Sequence, residues 1–159
     1  MVGAAHTLDM EKEEQMLQLL VATPTQLCKC CLRDMYKRGS GKILNVASVG
    51  AFQPGPYTAS YYASKSYLYQ YSQAIRLEAK KQGVQVCTLC PGSTRTHFFE
   101  KTGAKTPIWA MSPERVAKEA WEGLNADKAV VVPGMINRLL RLVPAQIKAC
   151  GVALLKKHT

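Results

Sequence analysis

Lys42-Ile43-Leu44-Asn45-Val46-Ala47-Ser48 and, thirteen residues beyond that serine, Tyr61-Tyr62-Ala63-Ser64-Lys65 decide how this chain folds. The first run is apolar and β-prone, and it exits through Ser48-Val49-Gly50. A loop rich in proline, glycine and aromatics follows (Phe52, Pro54, Gly55, Pro56, Tyr57), and a helical pattern opens near Thr58. Tyr61 and Lys65 are four apart, so they share one face of that helix. Ser48 stands at the exit of the strand beside which the helix packs. A hydroxyl, a phenol and an ammonium group therefore meet at the carboxyl edge of a sheet, where open α/β folds place their ligands.

Outward from this centre, strands and helices alternate. Residues 9–20 have helical period with acids early (Asp9, Glu11, Glu13, Glu14), which suits a helix amino terminus. Thr23-Pro24-Thr25-Gln26 reads as a capping box with proline at the first helical position, so a kink or restart is expected at Pro24. The second helical stretch runs to about Lys37 and stops at Gly39-Ser40-Gly41. After the tyrosine-rich helix, ended by Gly83, residues 85–90 form a second strand. A Pro91-Gly92 turn and an irregular segment holding Phe98, Phe99 and Trp109 come next. Ser112-Pro113-Glu114 opens another helix, residues 129–132 form a short third strand, and the remainder is helical with a break at Pro144. Such alternation means right-handed crossovers and a parallel sheet.

At 159 residues, 47% hydrophobic and 20% charged, the chain has the size and composition of one globular domain and not of a disordered segment. The amino terminus lacks a basic stretch followed by an apolar run, and nowhere are 18 consecutive residues apolar. A cytoplasmic protein is the expectation. Cys28, Cys31, Leu32 and Met35 fall at the spacing of the buried stripe of a helix, where thiols act as small hydrophobes. Cys87 and Cys90 spell C-x-x-C, but three residues apart on a strand they point to opposite faces, so no metal site is expected. The net charge of +10 is scattered, with no aromatic-plus-basic motif of a nucleic-acid module. Its one concentration is residues 135–159, which carry Arg138, Arg141, Lys148, Lys156 and Lys157 and no acid.

Ser48, then Tyr61-x-x-x-Lys65, then Cys90-Pro91-Gly92-Ser93-Thr94-Arg95-Thr96 resembles the active-site half of the short-chain dehydrogenase/reductase family. The resemblance spans residues 9–134. It implies an α/β fold: a partial doubly wound, Rossmann-like parallel sheet of about three strands with flanking helices. The amino-terminal half of that fold, with the glycine-rich turn that cradles a dinucleotide pyrophosphate, is not in this chain. Gly39-Ser40-Gly41 cannot substitute, because it precedes a strand instead of joining a strand to a helix. Residues 1–134 then read as a truncated catalytic portion and residues 135–159 as a basic amphipathic helical tail. The resemblance also implies an NAD(P)-dependent oxidoreductase that moves a hydride between a nicotinamide and a carbonyl or alcohol substrate. The choice between NAD and NADP belongs to residues outside this chain. Where the family usually has an asparagine in the first helix, this chain has Leu20.

The expected chemistry follows. A phenol with a pKa near ~10 is a poor base at neutral pH, and the Lys65 ammonium is expected to lower it. Ser48 donates a hydrogen bond to the substrate oxygen. By resemblance, Tyr61 and Lys65 also meet the nicotinamide ribose, while Pro91, Gly92, Thr94 and Thr96 meet the nicotinamide and phosphate side. Phe52, Phe98, Phe99 and Trp109 either wall a pocket for a lipophilic substrate or belong to the core. A serine hydrolase is excluded, because Val46-Ala47-Ser48-Val49-Gly50 lacks the first glycine of the nucleophile elbow. Two alternatives stand beside the enzyme: a non-catalytic remnant that forms a homo-oligomer through its long helices, and a peripheral membrane protein held by residues 135–159, a segment that reads otherwise as a terminal helix packed over the substrate pocket. Strand 42–48 is expected to keep an open edge, so the isolated chain self-associates and binds NAD(P)H poorly.

Overall fold

The computed structural model describes residues 2–97 and 106–156. Three parallel strands, β1 (Gly41–Val46), β2 (Val84–Leu89) and β3 (Val130–Val131), form one sheet in the order β1-β2-β3. Gly41 pairs with Val84 and Val46 with Leu89, and the ladder runs on through Ala47 N–H to the Leu89 carbonyl at 2.8 Å. The partial doubly wound sheet expected from the sequence is the sheet observed. In a parallel ladder alternate residues direct their backbone groups to opposite sides. Ala47 faces β2, so Leu44 and Val46 face away from it. Among the described residues no strand meets that outer edge, and Val46 is 48% exposed.

Helix α1 (Met10–Leu17) starts at Asp9, whose carboxylate accepts from Lys12 N–H at 3.1 Å. A π-helical turn (Gln18–Ala22) then leads without interruption into α2 (Thr23–Arg38). The expected capping box at Thr23 does not form. Proline at position 24 has no N–H to donate, and the preceding turn widens so that Thr23 N–H reaches the Gln18 carbonyl. Thr25 donates its hydroxyl to the Val21 carbonyl at 2.7 Å, so the chain absorbs the proline without restarting. On α2, Cys28 and Leu32 are buried with Met35 and Tyr36 beside them, whereas Cys31 is exposed. Three residues are about 60° short of a full turn, which sets Cys31 on the rim of the stripe and corrects its assignment to the core.

Helix α3 (Ala59–Lys80) buries Ser64, Leu68, Ser72, Ile75 and Ala79. The small residues let it lie close on the sheet. Ser64 and Ser72 donate to the carbonyls of Ser60 and Leu68, each at 2.6 Å. Asn45 of β1 donates to the Ser72 hydroxyl at 2.9 Å and meets the Cys28 sulfur at 3.4 Å, joining α2, α3 and β1 through buried polar atoms. Arg76 donates to the Val86 carbonyl and the Asp127 carboxylate, both at 2.8 Å. That bond holds the Asp127 carboxyl below its usual range and ties α3 to the turn before β3. Gly83 (φ 73°) ends the α3 connection against Gly39 (φ 65°), where an added Cβ would lie 2.3 Å from the Gly39 carbonyl oxygen.

On the other face, α4 (Pro113–Asn125), capped by Ser112, packs Val116, Ala120 and Leu124 against Cys87, Leu89 and Val131. Cys90 packs instead with Ala47 and Val132, so the two thiols of the C-x-x-C face opposite sides of the strand. Burial pushes both thiols up, Cys90 to about 12. Helices α5 (Met135–Leu140) and α6 (Ala145–Lys156) complete the described chain.

Asn45→Ala removes the buried link between β1 and α3 and leaves the Ser72 oxygen without the donor it accepts from. The expected loss is roughly 2 kcal/mol of unfolding free energy, read as a lower denaturant midpoint with an unchanged slope.

Candidate active site

At the exit of β1 the backbone stays extended through Ser48, and its hydroxyl accepts from Gly50 N–H at 3.0 Å, capping a 3₁₀ turn at Val49–Phe52. Val49 N–H donates to the Pro91 carbonyl at 3.0 Å, which joins the carboxyl ends of β1 and β2. The Ser48 hydroxyl also acts on the Tyr61 phenol, favouring its ionised form. One turn further along α3, Lys65 donates to the Val46 carbonyl at 2.9 Å and sits 5.9 Å from the Tyr61 ring centre. The structure thus brings Ser48, Tyr61 and Lys65 together as the spacing expects.

The electrostatics differ from the expectation in one respect. Burial raises the Tyr61 phenol above its ordinary value, and the Ser48 hydroxyl only partly opposes it. Burial likewise lowers the Lys65 ammonium. Lys65 does not bring the phenol down: its ammonium bonds the Val46 carbonyl, and burial is the largest influence on the phenol.

The loop between Ser48 and Tyr61 is closely fitted. Tyr62 meets the Tyr61 ring edge-on at 5.9 Å and lies against Gly55, where an added Cβ would come within 2.2 Å of its ring. Tyr57 adopts φ 61°, a left-handed conformation uncommon for an aromatic residue. Phe52 packs edge-on to Tyr69 at 5.1 Å. Of the other pocket candidates, Trp109 is 74% exposed, and Phe98 and Phe99 lie outside the described residues. Leu20, half-buried in the π-helical turn, offers no hydrogen bond from its side chain.

Past β2, Pro91 and Gly92 turn the chain, and Thr94 bridges to Met111. The Thr94 hydroxyl donates to the Gly92 carbonyl at 3.1 Å and Thr96 to the Thr94 carbonyl at 3.5 Å. A Cβ at Gly92 would lie 2.6 Å from the Asn137 amide, so α5 rests directly on this turn. Sequence reasoning did not find Asn137, and it named the basic residues of the tail without saying which of them close over the loop. Arg141 lies 4.9 Å above the Phe52 ring, Lys148 donates to the Phe52 carbonyl at 3.4 Å, and Lys156 donates to the Thr58 hydroxyl at 3.0 Å. The one available signal was the acid-free tail, which gives the charge but not the direction in which it points.

A family profile described as short chain dehydrogenase matches residues 1–107. A 7beta-hydroxysteroid dehydrogenase from Clostridium sardiniense is 28% identical over 140 residues, covering 86% of this chain and 53% of that protein. A 3-ketodihydrosphingosine reductase from Bacteroides thetaiotaomicron is 35% identical over 100 residues, covering 62% of this chain and 37% of that protein. The chain therefore spans about half or less of the length of these relatives. Among solved structures, a short-chain dehydrogenase from Sphingobium yanoikuyae in complex with NADPH superposes with a TM-score of 0.81 at 24% identity. It covers 94% of this chain and 60% of that one.

Ser48→Ala removes the hydroxyl that favours the phenolate, so the Tyr61 pKa should rise further. Tyrosine-labelled NMR titration, with Tyr61→Phe to assign the resonance, measures it. An unchanged or lower value would contradict the Ser48–Tyr61 contact.

Proposed function

The chain belongs to the short-chain dehydrogenase family, and from that premise we propose that Ser48, Tyr61 and Lys65 serve an NAD(P)-dependent reduction of a carbonyl, or the reverse oxidation of an alcohol. The observation that carries this reading is the Ser48 hydroxyl set where it favours ionisation of the Tyr61 phenol, one helical turn from Lys65, at the carboxyl edge of β1 and β2. Three catalytic needs match three groups. Ser48 donates a hydrogen bond to the substrate oxygen as negative charge develops. Tyr61 gives that oxygen a proton, and its raised pKa keeps it protonated at neutral pH, ready for the reductive direction. The Lys65 positive charge stabilises the phenolate left behind.

A nicotinamide, when bound, supplies the hydride. The residues present fit its nicotinamide and ribose end. Tyr61 and Lys65 offer a phenol and an ammonium, Thr94 and Thr96 offer hydroxyls, and the Gly92 turn is bordered by the polar Asn137 amide. Phe52 ends the 3₁₀ turn that Ser48 caps and packs on Tyr69 and the Ala47–Cys90–Val132 cluster, and it offers an apolar surface for a lipophilic substrate. Tyr61→Phe keeps the ring and its packing but removes the proton. NAD(P)H-dependent reduction of a ketone should fall about a hundredfold to ten-thousandfold, with an unchanged circular dichroism spectrum. Full turnover by the purified variant would end this assignment.

A second reading, association with another copy of the chain, is favoured by the open edge of β1 and by exposed Leu17, Leu19 and Leu27 on the neighbouring helical segments. The membrane alternative has less support. Lys148 and Lys156 turn onto the loop, which favours a tail that covers the site, and among the described residues no helix is long and apolar enough to cross a membrane. Light scattering at micromolar concentration should give a mass above that of one chain. A clean monomer would remove the association.

A further inference from the structure

Three cations converge on the loop beside Tyr61 and meet only neutral groups there. Arg141 lies over the Phe52 ring, Lys148 reaches the Phe52 carbonyl, and Lys156 reaches the Thr58 hydroxyl while standing 5.3 Å from the Tyr62 ring centre. Among the described residues none of the three has a carboxylate partner; the ion pairs lie on other side chains. Sequence explains why: residues 35–77, which build β1, the loop and most of α3, contain no acid, and neither do residues 128–159. The carboxylate that does approach the start of α3, Glu13, accepts from Ser60.

Burial lowers both Lys148 and Lys156, as expected of ammonium groups moved from water without a counter-charge. Each ammonium carries three N–H donors, and the structure gives one bond to each, leaving further donors for a ligand. An anchor for the tail alone would need only neutral donors. Lys156 is also one aromatic ring removed from the chemistry, since the Tyr62 ring it faces meets the Tyr61 ring edge-on.

We propose that Arg141, Lys148 and Lys156 form a cationic rim that selects a carbonyl or alcohol substrate bearing an anionic group, a carboxylate or its equivalent, about one aromatic ring away from the reacting carbon. The proposal rests on the oxidoreductase reading above and adds the substrate's charge to it. The rim neutralises that charge where field lines concentrate beside apolar rings, and the substrate's carbonyl end lies toward Ser48 and Tyr61.

The test compares 4-acetylbenzoate with its methyl ester, which place a carboxylate or a neutral ester one ring from a ketone. Calorimetric titration of the 159-residue chain at low salt should give about tenfold tighter binding of the acid, with the advantage shrinking as salt is added. Lys148→Gln/Lys156→Gln should erase the advantage, and Lys148→Arg/Lys156→Arg should keep it; thermal melts verify that each variant is folded. Equal binding of the two ketones by the unaltered chain would overturn the proposal without recourse to any variant, and so would a preference that survives in the folded glutamine variant. Sedimentation with phosphatidylserine vesicles separates the remaining use of these cations: vesicle binding lost in the glutamine variant, together with equal ketone binding, overturns the rim and assigns the charge to a membrane surface. Tyr61→Phe keeps the two questions apart. An acid preference beside ketone turnover that Tyr61→Phe leaves unchanged would sink the oxidoreductase reading alone, and turnover lost in Tyr61→Phe without acid preference in the unaltered chain would sink the rim alone.

Discussion

Everything at the candidate site depends on how α3 is seated on β1 and β2. A helix can slide or roll on a sheet when its buried face is uniformly oily, because apolar contact has no direction. Here that face is punctuated by small polar residues. Ser64 and Ser72 fold their hydroxyls back onto the helix, and Asn45 rises from β1 to meet Ser72 at 2.9 Å. A directional bond in a buried setting is costly to break, so it fixes both rotation and register. With Ser72 held, Tyr61 and Lys65 two to three turns earlier are carried toward the exit of β1. Arg76, bonded to the Val86 carbonyl and to Asp127, pins the other end of the helix to β2.

The open outer edge of β1 has a second consequence for chemistry. Val46 directs its carbonyl away from β2, and Lys65 supplies the donor that, among the described residues, no neighbouring strand provides. One ammonium group therefore satisfies a backbone acceptor and provides the positive charge beside Tyr61. Burial acts on the two groups with the same sense, pushing each toward its neutral form, the phenol up and the ammonium down. A protonated phenol is the form a carbonyl reduction uses first. The positive charge becomes important only once the proton has left, so a Lys65 held near the ring but bonded elsewhere is compatible with the proposed role.

Much of this was legible in the sequence, for physical reasons that can be named. Gly39, a serine before Pro113, and the shift from alternating to helical apolar spacing are local signals, and α2 and α4 end and begin where they predict, whereas α3 stops at Lys80, ahead of the expected Gly83. Four residues between Tyr61 and Lys65 fix a shared face on any helix. The departures all involve competition between local and tertiary terms. Thr23-Pro24 has the composition of a helix start, yet the packing of α1 and α2 on α3 favours one continuous helix, and a π-helical turn reconciles it with the missing N–H. Cys31 has the right spacing for the core but sits at the edge of the buried arc, where a small rotation decides exposure. The direction of the Tyr61 shift was misjudged because sequence gives the charge of Lys65 but neither its partner nor the depth of the phenol.

The tail is the clearest case of a property that sequence cannot resolve. A basic, apolar helix in water is expected to show its charges and hide its leucines. Here Lys148 and Lys156 turn inward, while Leu154 and Leu155 are exposed. The inversion has a local cause in what the loop offers. Residues 49–58 lie outside the sheet ladder, so the Phe52 carbonyl and the Thr58 hydroxyl can accept bonds, and the rings of Phe52 and Tyr62 present the negative faces that attract cations. Leucine side chains would leave those acceptors unsatisfied beneath them, at a cost comparable to a lost hydrogen bond for each. The acceptors of an irregular active-site loop therefore select which face of the tail it meets, and the charge of that face becomes part of the environment in which Tyr61 works.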